Sequence, residues 1–176
     1  NFPEGVARPE FRLGSIQDDV FVRSLGTFDS VYAWGSLHHT GEMWRAIENA
    51  ASRVAPNGTF AIAIYADHWS VPFWTQVKRL YNVAPRPFRR IMDAGFGAAM
   101  YVGVWAVARQ NPMRKERGMD FWYDVVDWLG GYPYEVARAD ELRAFLESRG
   151  FRFITCATPR VPTGCNELVF RRGEPS

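Results

Sequence analysis

Two adjacent histidines, His38 and His39, are the residues of this chain whose type and placement suit proton-transfer chemistry. An imidazole has a pKa of about 6.5, so near neutral pH it can accept a proton from a hydroxyl group. Neighbouring side chains on an extended loop point in different directions. We therefore expect one of the two to pack beneath the loop and hydrogen-bond to the backbone, and the other to face a cleft as a general base.

A metal site is not predicted around these histidines. His68 is the only other histidine, and no cysteines or carboxylates accompany the pair at the spacing that metal ligands require. A hydrolase nucleophile is equally unsupported, because no serine stands in the tight strand-to-helix turn that such a nucleophile needs.

The elements on either side place the histidine loop at the edge of a sheet. Apolar residues 31–34 predict a short buried strand that ends at Gly35. Residues 43–54 carry apolar side chains at helical spacing, with Thr40 as the expected N-cap and a Pro-Asn-Gly turn at 56–58 as the end. Residues 59–65 predict a second strand. Strand, helix and strand with short connections predict parallel pairing, and ligands of such sheets bind beyond the carboxyl ends of the strands.

The ordered motifs of residues 28–65 resemble those of the class I S-adenosylmethionine-dependent methyltransferases, in the branch that includes the quinone-ring O-methylases. The matching motifs are Phe-Asp-x-Val from Phe28, Leu-His-His at 37–39 and Ala-Pro-Asn-Gly-Thr at 55–59. Residues 151–157 and 165–170 resemble the last two strands of that family. The resemblance covers about three-quarters of the chain. It implies an α/β fold with a doubly wound Rossmann-like sheet and a helical insertion after the fifth strand.

The same resemblance implies a function and a set of site residues. The implied cofactor is S-adenosyl-L-methionine, and the implied reaction is methyl transfer to a small-molecule acceptor, with oxygen as the expected acceptor atom. The catalytic candidates are His39 and His38. The cofactor-binding candidates are Ser15, Ile16, Asp18, Trp34 and Gly35.

The segment at Ser15 resembles the end of the family's third strand, where the adenine is held. The family's usual residue at this position is an acid, and Asp18 either substitutes for it or caps the helix predicted over 18–25. Trp34 belongs either to the core or to a wall of the cleft, whereas Gly35 would let a ligand approach the backbone closely.

The family's glycine-rich loop, and the acidic residue that ends its second strand, have no counterpart in this sequence. The glycine-containing run at 95–103 follows no predicted strand and lies in a helical pattern, so it does not fit a nucleotide-binding loop. Because the chain starts with Asn1 and about a dozen residues precede Gly14, we expect an N-terminally truncated sheet, the C-terminal part of a longer protein. By itself, this chain is expected to bind the cofactor weakly and to be inactive.

Residues 68–118 are predicted to form a helical insertion or lid within a single methyltransferase domain, residues 1–176. In the family an insertion at this point covers the acceptor site, so the resemblance gives it a role in substrate choice. The segment is rich in cations. They are Lys78, Arg79, Arg86, Arg89, Arg90, Arg109, Arg114, Lys115 and Arg117.

Three interpretations of this basic segment remain open. It could be a buried or lid helix with solvated basic flanks, an amphipathic platform for an anionic membrane or a lipid-like substrate, or a nucleic-acid-binding surface. Nucleic acid is not the expected partner, because no binding motif accompanies the cations and the net charge is only +2. The alternative to an enzyme is therefore a non-catalytic α/β module that binds a membrane surface or a protein partner through this segment.

The remaining features concern the acceptor and the cellular compartment. Trp122, Tyr123, Tyr132 and Tyr134 suit either an aromatic acceptor pocket or a core. Cys156 and Cys165 are predicted to be buried thiols of a reduced compartment. The sequence carries no secretory signal and no run of about eighteen apolar residues, so we expect a cytoplasmic protein.

Overall fold

A four-stranded sheet lies at the centre of the computed structural model, which describes residues 9–109, 120–159 and 163–174. The strands are β1 (Phe28–Trp34), β2 (Val54–Tyr65), β3 (Phe151–Ala157) and β4 (Cys165–Arg172), in the spatial order β1-β2-β4-β3. β1 and β2 are parallel, whereas β4 is antiparallel to both β2 and β3. The predicted α/β fold, with an antiparallel pair at its end, is confirmed.

Six helices surround or extend this sheet within the described residues. They are α1 (Asp19–Ser24), α2 (Met43–Ser52), α3 (Val71–Val83), α4 (Arg86–Ala108), α5 (Phe121–Gly130) and α6 (Ala139–Glu147), with a short 3₁₀ turn at Leu37–His39. The helix predicted over 18–25 corresponds to α1. The segment predicted to be helical after β2 forms α3 and α4, and residues 110–118 of that segment lie outside the described residues.

The strand–helix–strand unit predicted from residues 28–65 is present. Helix α2 connects β1 to β2, and Val31 and Trp34 of β1 stand beside Phe60 and Ala63 of β2. One face of α2, which includes Ile47, packs into the main apolar cluster. Since the two strands are parallel, the loops that follow them lie at the same edge of the sheet.

Strand β2 begins at Val54, five residues earlier than predicted. The Pro-Asn-Gly turn predicted at 56–58 therefore lies inside the strand, where it interrupts the regular pairing. The register of β2 with β1 shifts between Phe28 and Ser30. Asn57 has a φ of 60°, and a Cβ added at Gly58 would lie 2.8 Å from the Ala55 carbonyl oxygen. The Pro-Asn-Gly sequence therefore makes a bulge within the strand.

Two apolar clusters hold the described elements together. The larger joins the sheet to α2 and α6, with Phe60 and Phe170 completely buried at its centre. The smaller joins α3, α4 and α5 around Phe121, Val125 and Leu129. Helices α3 to α5 thus have an apolar core of their own, beside the sheet.

The segment before α1 differs from its prediction. Residues 9–15 form no strand, and the side chains of Phe11 and Leu13 are almost fully exposed. Strand β1 lies at the edge of the described sheet. No strand that ends at Gly14 is paired with this sheet in the described residues. The prediction of a strand end at this position is wrong for the described residues.

The start of α2 also differs from its prediction. Thr40 is not the N-cap, because its hydroxyl donates to the Leu37 carbonyl at 2.8 Å. The first N–H of the helix, on Met43, donates instead to both carboxylate oxygens of Glu135, at 3.1 and 3.2 Å. A carboxylate 92 positions away in sequence therefore complements the positive end of the helix dipole.

The two cysteines are free thiols on the neighbouring strands β3 and β4. Cys156 stands opposite Leu168, and Cys165 stands opposite Tyr65 on β2. Burial raises the pKa of the Cys165 thiol to about 11, so this thiol is protonated at neutral pH. Across the three described ranges, no helix has the length and apolarity needed to cross a bilayer.

Candidate functional site

The histidine turn and a second loop meet at the carboxyl ends of β1 and β2. The second loop, residues 131–137, follows α5 and crosses this edge of the sheet. The Glu135 N–H donates to the His38 carbonyl at 3.1 Å, and the Ala137 N–H donates to the Tyr65 carbonyl at 3.0 Å. Asn166 of β4 donates its side-chain amide to the Ala137 carbonyl at 3.0 Å. Backbone and side-chain hydrogen bonds therefore fix the second loop to the histidine turn, to β2 and to β4.

His39 is held in one tautomer by this second loop. Its Nδ1 lies 2.7 Å from the Pro133 carbonyl oxygen. A carbonyl can only accept a hydrogen bond, so Nδ1 carries the proton and donates. In the neutral ring Nε2 is then the unprotonated nitrogen, which is the state that a general base requires.

The surroundings of His39 favour its neutral form. Burial lowers the pKa of His39, and the positive charge of Lys78 lowers it further. The Pro133 carbonyl and the carboxylates of Asp127 and Glu135 act in the opposite direction. The net effect is a pKa below the ordinary value, so His39 is ready to accept a proton at neutral pH.

His38 lies inside the molecule, with only 1% of its surface exposed. Its ring centroid is 4.2 Å from that of Tyr65 and 4.3 Å from that of His39. Neither ring nitrogen has a hydrogen-bond partner among the described residues. Burial lowers the pKa of His38 to about 3, and the nearby His39 and Lys78 add to the effect; the Ala63 carbonyl, which accepts the Gly35 N–H, opposes it.

From the sequence we expected one histidine to be buried with a hydrogen bond to the backbone, and the other to face a cleft. The structure divides these features differently, because the backbone bond belongs to the half-buried His39 and the fully packed ring is His38. His38 is a packing residue in this arrangement, since its side chain is closed off from any acceptor.

A buried lysine and three aromatic rings complete the site. Lys78 of α3 has no exposed surface, and its Nζ donates to the Trp128 carbonyl. Nζ lies 4.0 Å from the Trp128 ring centroid, 4.9 Å from that of Tyr134 and 5.6 Å from that of Tyr65. These are cation–π distances. The sequence places Lys78 among the cations of the basic segment, and the structure shows that its side chain is buried.

Sequence reasoning missed Tyr65, Lys78 and Trp128 as members of the site. A signal for Lys78 was present, because it lies four residues after Trp74 and three before Tyr81, on the apolar stripe of its helix. A cation on an apolar stripe is rarely buried without a specific role.

The candidate cofactor segment is tied to the histidine turn. The Gln17 side-chain amide donates to the Thr40 carbonyl at 2.6 Å, and the Asn49 amide of α2 donates to the Ile16 carbonyl at 2.8 Å. Ser15 is exposed, and its hydroxyl accepts the Gln17 N–H at 3.2 Å. Ile16 is half-buried against the main apolar cluster. The segment that carries both residues is therefore joined through Gln17 to Thr40, at the end of the histidine turn, and through Ile16 to α2.

Asp18 is the N-cap of α1. Its carboxylate accepts the N–H groups of Val20 and Phe21, at 2.9 and 3.2 Å. Of the two roles left open by the sequence, the structure shows the helix cap. Both N–H groups donate to the same oxygen, Oδ1, and the role of Asp18 in holding the adenine stays a prediction.

Trp34 and Gly35 end β1 at the same edge. The Trp34 ring stacks on Tyr32 at a centroid distance of 5.1 Å and is 39% exposed, so it is not a core residue. Gly35 has a φ of +70°, and a Cβ added there would meet nothing within 4 Å. The space next to the strand end is therefore open, as the approach of a ligand to the backbone requires.

Of the four rings proposed for an acceptor pocket, Tyr134 alone has a described ring contact with the histidine site, 5.0 Å from Tyr65. Trp122 packs on Phe121, and Tyr123 projects into solvent. Tyr132 lies within the second loop and is 41% exposed. No group of three or more His, Cys, Asp or Glu side chains in the described part of the chain is placed to hold a metal ion.

Comparison with known proteins identifies the fold. No family model matches the sequence, and no curated protein does so either. Among solved structures, an O-methyltransferase family protein from Burkholderia thailandensis is 15% identical with a TM-score of 0.51, over 95% of this chain and 36% of its own. PKMT2 from Rickettsia typhi is 10% identical with a TM-score of 0.52, over 89% of this chain and 37% of its own.

The chain has the class I methyltransferase fold, as the resemblance implied. It spans little more than a third of the length of these two structures. At identities of 10% and 15% the likeness concerns the fold and leaves the reaction to be argued from the site itself.

We predict that Gly131→Ala disturbs His39, whereas Gly130→Ala does not. A Cβ at Gly131 would lie 2.6 Å from Cε1 of His39, while a Cβ at Gly130 would have ordinary contact with Tyr81 at 3.8 Å. We expect the first variant to lose about 1–3 kcal/mol of unfolding free energy in urea. The second should be neutral or slightly stabilised. Equal losses would contradict the tight contact between the second loop and His39.

We also predict acid destabilisation that depends on His38. Its folded pKa of about 3 lies below its unfolded value of 6.5, so the unfolded chain takes up the proton first as the pH falls. The stability linked to His38 is complete above pH 6.5 and is lost progressively towards pH 3. Between pH 7 and pH 4.5 we expect about 2–3 kcal/mol more loss in the wild type than in His38→Leu, by urea unfolding. Identical losses would remove His38 as the cause.

Proposed function

We propose that this protein transfers a methyl group from S-adenosylmethionine to an oxygen atom of a small-molecule acceptor, with His39 as the general base. The observation that carries the proposal is the hydrogen bond from His39 Nδ1 to the Pro133 carbonyl, at 2.7 Å. It leaves Nε2 as the proton acceptor, at the strand edge where α/β sheets bind ligands. The class I methyltransferase fold of the chain supports the choice of reaction.

Residues at this edge are proposed to hold the cofactor. The segment with Ser15 and Ile16 is hydrogen-bonded to Thr40 and to α2, and the space beside Gly35 is open, which supports the proposal. In the proposal, Ile16 and Trp34 pack against the adenine, and backbone groups at Ser15 and Gly35 line the rest of this part of the site. When bound, S-adenosylmethionine supplies an electrophilic methyl group on a sulfonium centre.

His39 has a limited but definite task in such a reaction. Its Nε2 would take the proton from the acceptor hydroxyl, and the electron pair of the O–H bond would stay on oxygen. As the oxygen bonds to the methyl carbon, the bond from that carbon to sulfur would break, and its electron pair would leave with sulfur as a neutral thioether. A sulfonium is already a strong methyl donor, so alignment of the reacting atoms supplies much of the rate enhancement. The hydrogen bond to Pro133 contributes by fixing the direction of the His39 ring.

Helices α3 to α5 are proposed to choose the acceptor. Trp128 of α5 and the buried Tyr134 of the second loop supply aromatic rings next to the site, which suits an aromatic or lipid-like molecule. The chain would then act as one methyltransferase domain, with these helices as its lid.

A second candidate function is attachment to an anionic membrane surface through α3 and α4. Trp69, Phe73, Val83 and Trp105 are exposed apolar residues of this segment. Arg79, Arg86 and Arg90 are exposed on the same two helices. Apolar side chains beside cations are typical of peripheral membrane binding. Sedimentation with vesicles containing phosphatidylserine would support this function, particularly if no cofactor is bound.

We predict that the full-length protein carrying this chain binds S-adenosylhomocysteine with micromolar affinity, by isothermal titration calorimetry. Trp34→Ala should lower the affinity by about tenfold, since stacking on a base is worth about 1–3 kcal/mol. Tyr32→Ala is the matched control. Tyr32 is the ring that stacks on Trp34, and it lies two residues before the end of the strand. Absence of binding would contradict the proposed function, and equal effects of the two variants would remove Trp34 from the cofactor site.

We predict that His39→Ala lowers methyl transfer at pH 7 by about tenfold or more. The assay follows S-adenosylhomocysteine release with a panel of small phenols as acceptors. His68→Ala is the control, because the His68 ring is hydrogen-bonded to Ser70 and, among the described residues, no hydrogen bond or ring contact joins it to the site. Unchanged turnover in a folded His39→Ala protein would remove this histidine from the mechanism.

A further inference from the structure

Lys78 occupies a buried position where an apolar side chain would be more favourable for the free energy of folding. Its side chain is completely buried, and transfer of an ammonium from water into the interior is unfavourable unless strong partners replace the water. Its neighbours along the helix face, Trp74 and Tyr81, belong to the apolar packing of α3 with α5. Packing alone therefore gives no reason for a lysine at this point.

The partners of Lys78 retain its positive charge. The Trp128 carbonyl accepts one N–H, and the faces of Trp128, Tyr134 and Tyr65 surround Nζ at 4.0 to 5.6 Å. Burial lowers the pKa of Lys78 to about 8, while the charge of Asp127 acts to raise it. At pH 7 the ammonium form still exceeds the neutral amine by about tenfold.

This charge lies one ring away from the histidines. Lys78 Nζ and the His39 ring are each 5.6 Å from the centroid of Tyr65. Tyr134 packs on Tyr65 at 5.0 Å, and the same Tyr65 ring packs on His38. A cation here both orders the rings beside His39 and opposes the appearance of a second cation on the imidazole.

We propose, building on the proposed function, that Lys78 is a positioning residue for methyl transfer: it fixes Tyr65 and Tyr134 beside His39 and keeps His39 unprotonated below neutral pH. Lys78 does not touch the reacting atoms. It acts through the aromatic rings, which it holds by cation–π contacts, and through its charge.

The other groups that face His39 set the size of this effect. The α5 residue Asp127 and the second-loop residue Glu135 favour the imidazolium, and β2 contributes the neutral Tyr65. Within its own turn, His39 contacts the neutral ring of His38. Lys78 is the cation that opposes the two carboxylates. Its removal would leave them unopposed and raise the pKa of His39.

The test is a pH titration of the His39 ring signals by NMR in wild type, Lys78→Met and Arg79→Met. Methionine fills the same volume without charge. Arg79→Met removes the neighbouring cation, which is exposed, and is the matched control. We expect the midpoint of His39 to rise by about 0.5–1 pH unit in Lys78→Met and to stay within 0.2 units, roughly the reproducibility of such a titration, in Arg79→Met.

A second variant and a second measurement keep the test decisive. Lys78→Gln retains a donor for the Trp128 carbonyl and should show the same rise if the methionine variant does not fold. In the methyl-transfer assay, the acidic limb of the kcat/KM profile should move to higher pH by the same amount in either lysine variant. An unchanged His39 midpoint in a folded lysine variant would overturn the inference.

Failure of this inference can be told apart from failure of the proposed function. If the protein transfers methyl groups but its His39 midpoint is the same with and without Lys78, the proposed function stands and the inference about Lys78 is wrong. If the His39 midpoint moves as expected but the protein binds no S-adenosylhomocysteine, the charge coupling between Lys78 and His39 stands. The positioning role of Lys78 in methyl transfer then falls together with the proposed function.

Discussion

The parallel pairing of β1 with β2 is the constraint on which the rest of the structure depends. It brings the residues after Trp34 and the residues after Tyr65 to one edge of the sheet, although the two are about thirty positions apart in sequence. Helix α2 makes this pairing possible by covering the sheet with its apolar face. Removing that burial would separate the histidine turn from the rings that pack on it.

The loop after α5 converts this sheet edge into a site. It provides the carbonyl that fixes the His39 tautomer, the carboxylate that receives the first N–H of α2, and the backbone bond to Tyr65. The same stretch of chain therefore determines the start of the helix, the direction of the imidazole and the position of the ring wall. A change in any of these is expected to affect the other two.

The site is built at some cost to stability. His38 has no hydrogen-bond partner for either ring nitrogen among the described residues, and Lys78 is buried as a cation. Both features are unfavourable for folding, and apolar residues would fill the same space with less penalty. Groups of this kind tend to collect at functional sites, where their altered pKa values are useful.

The sequence predicts the parts of this arrangement that depend on local patterns. The apolar stripe of α2, the apolar runs of β1 and β2 and the adjacent histidines are all visible within about forty residues, and they lead to the fold and to the edge where the site lies. The cap from Glu135, the carbonyl of Pro133 and the burial of Lys78 depend on contacts between distant segments. A single sequence carries no local signal for the contacts of Glu135 and Pro133, whereas the place of Lys78 on the apolar stripe of its helix is a local sign of its burial. In residues 9–15 the local pattern is misleading. It suggests a strand, but in the described residues this segment pairs with no strand of the sheet.

The central claim is that His39 is held as a base by the second loop, with its proton on Nδ1. The most direct test is a nitrogen-15 NMR measurement of the His39 ring at a pH where the ring is neutral, with assignment by comparison with His39→Gln. The account predicts the chemical shift of a protonated nitrogen for Nδ1 and that of an unprotonated nitrogen for Nε2. A proton found on Nε2 instead would contradict the account, because the hydrogen bond to Pro133 would be absent and the ring would present no base to an acceptor.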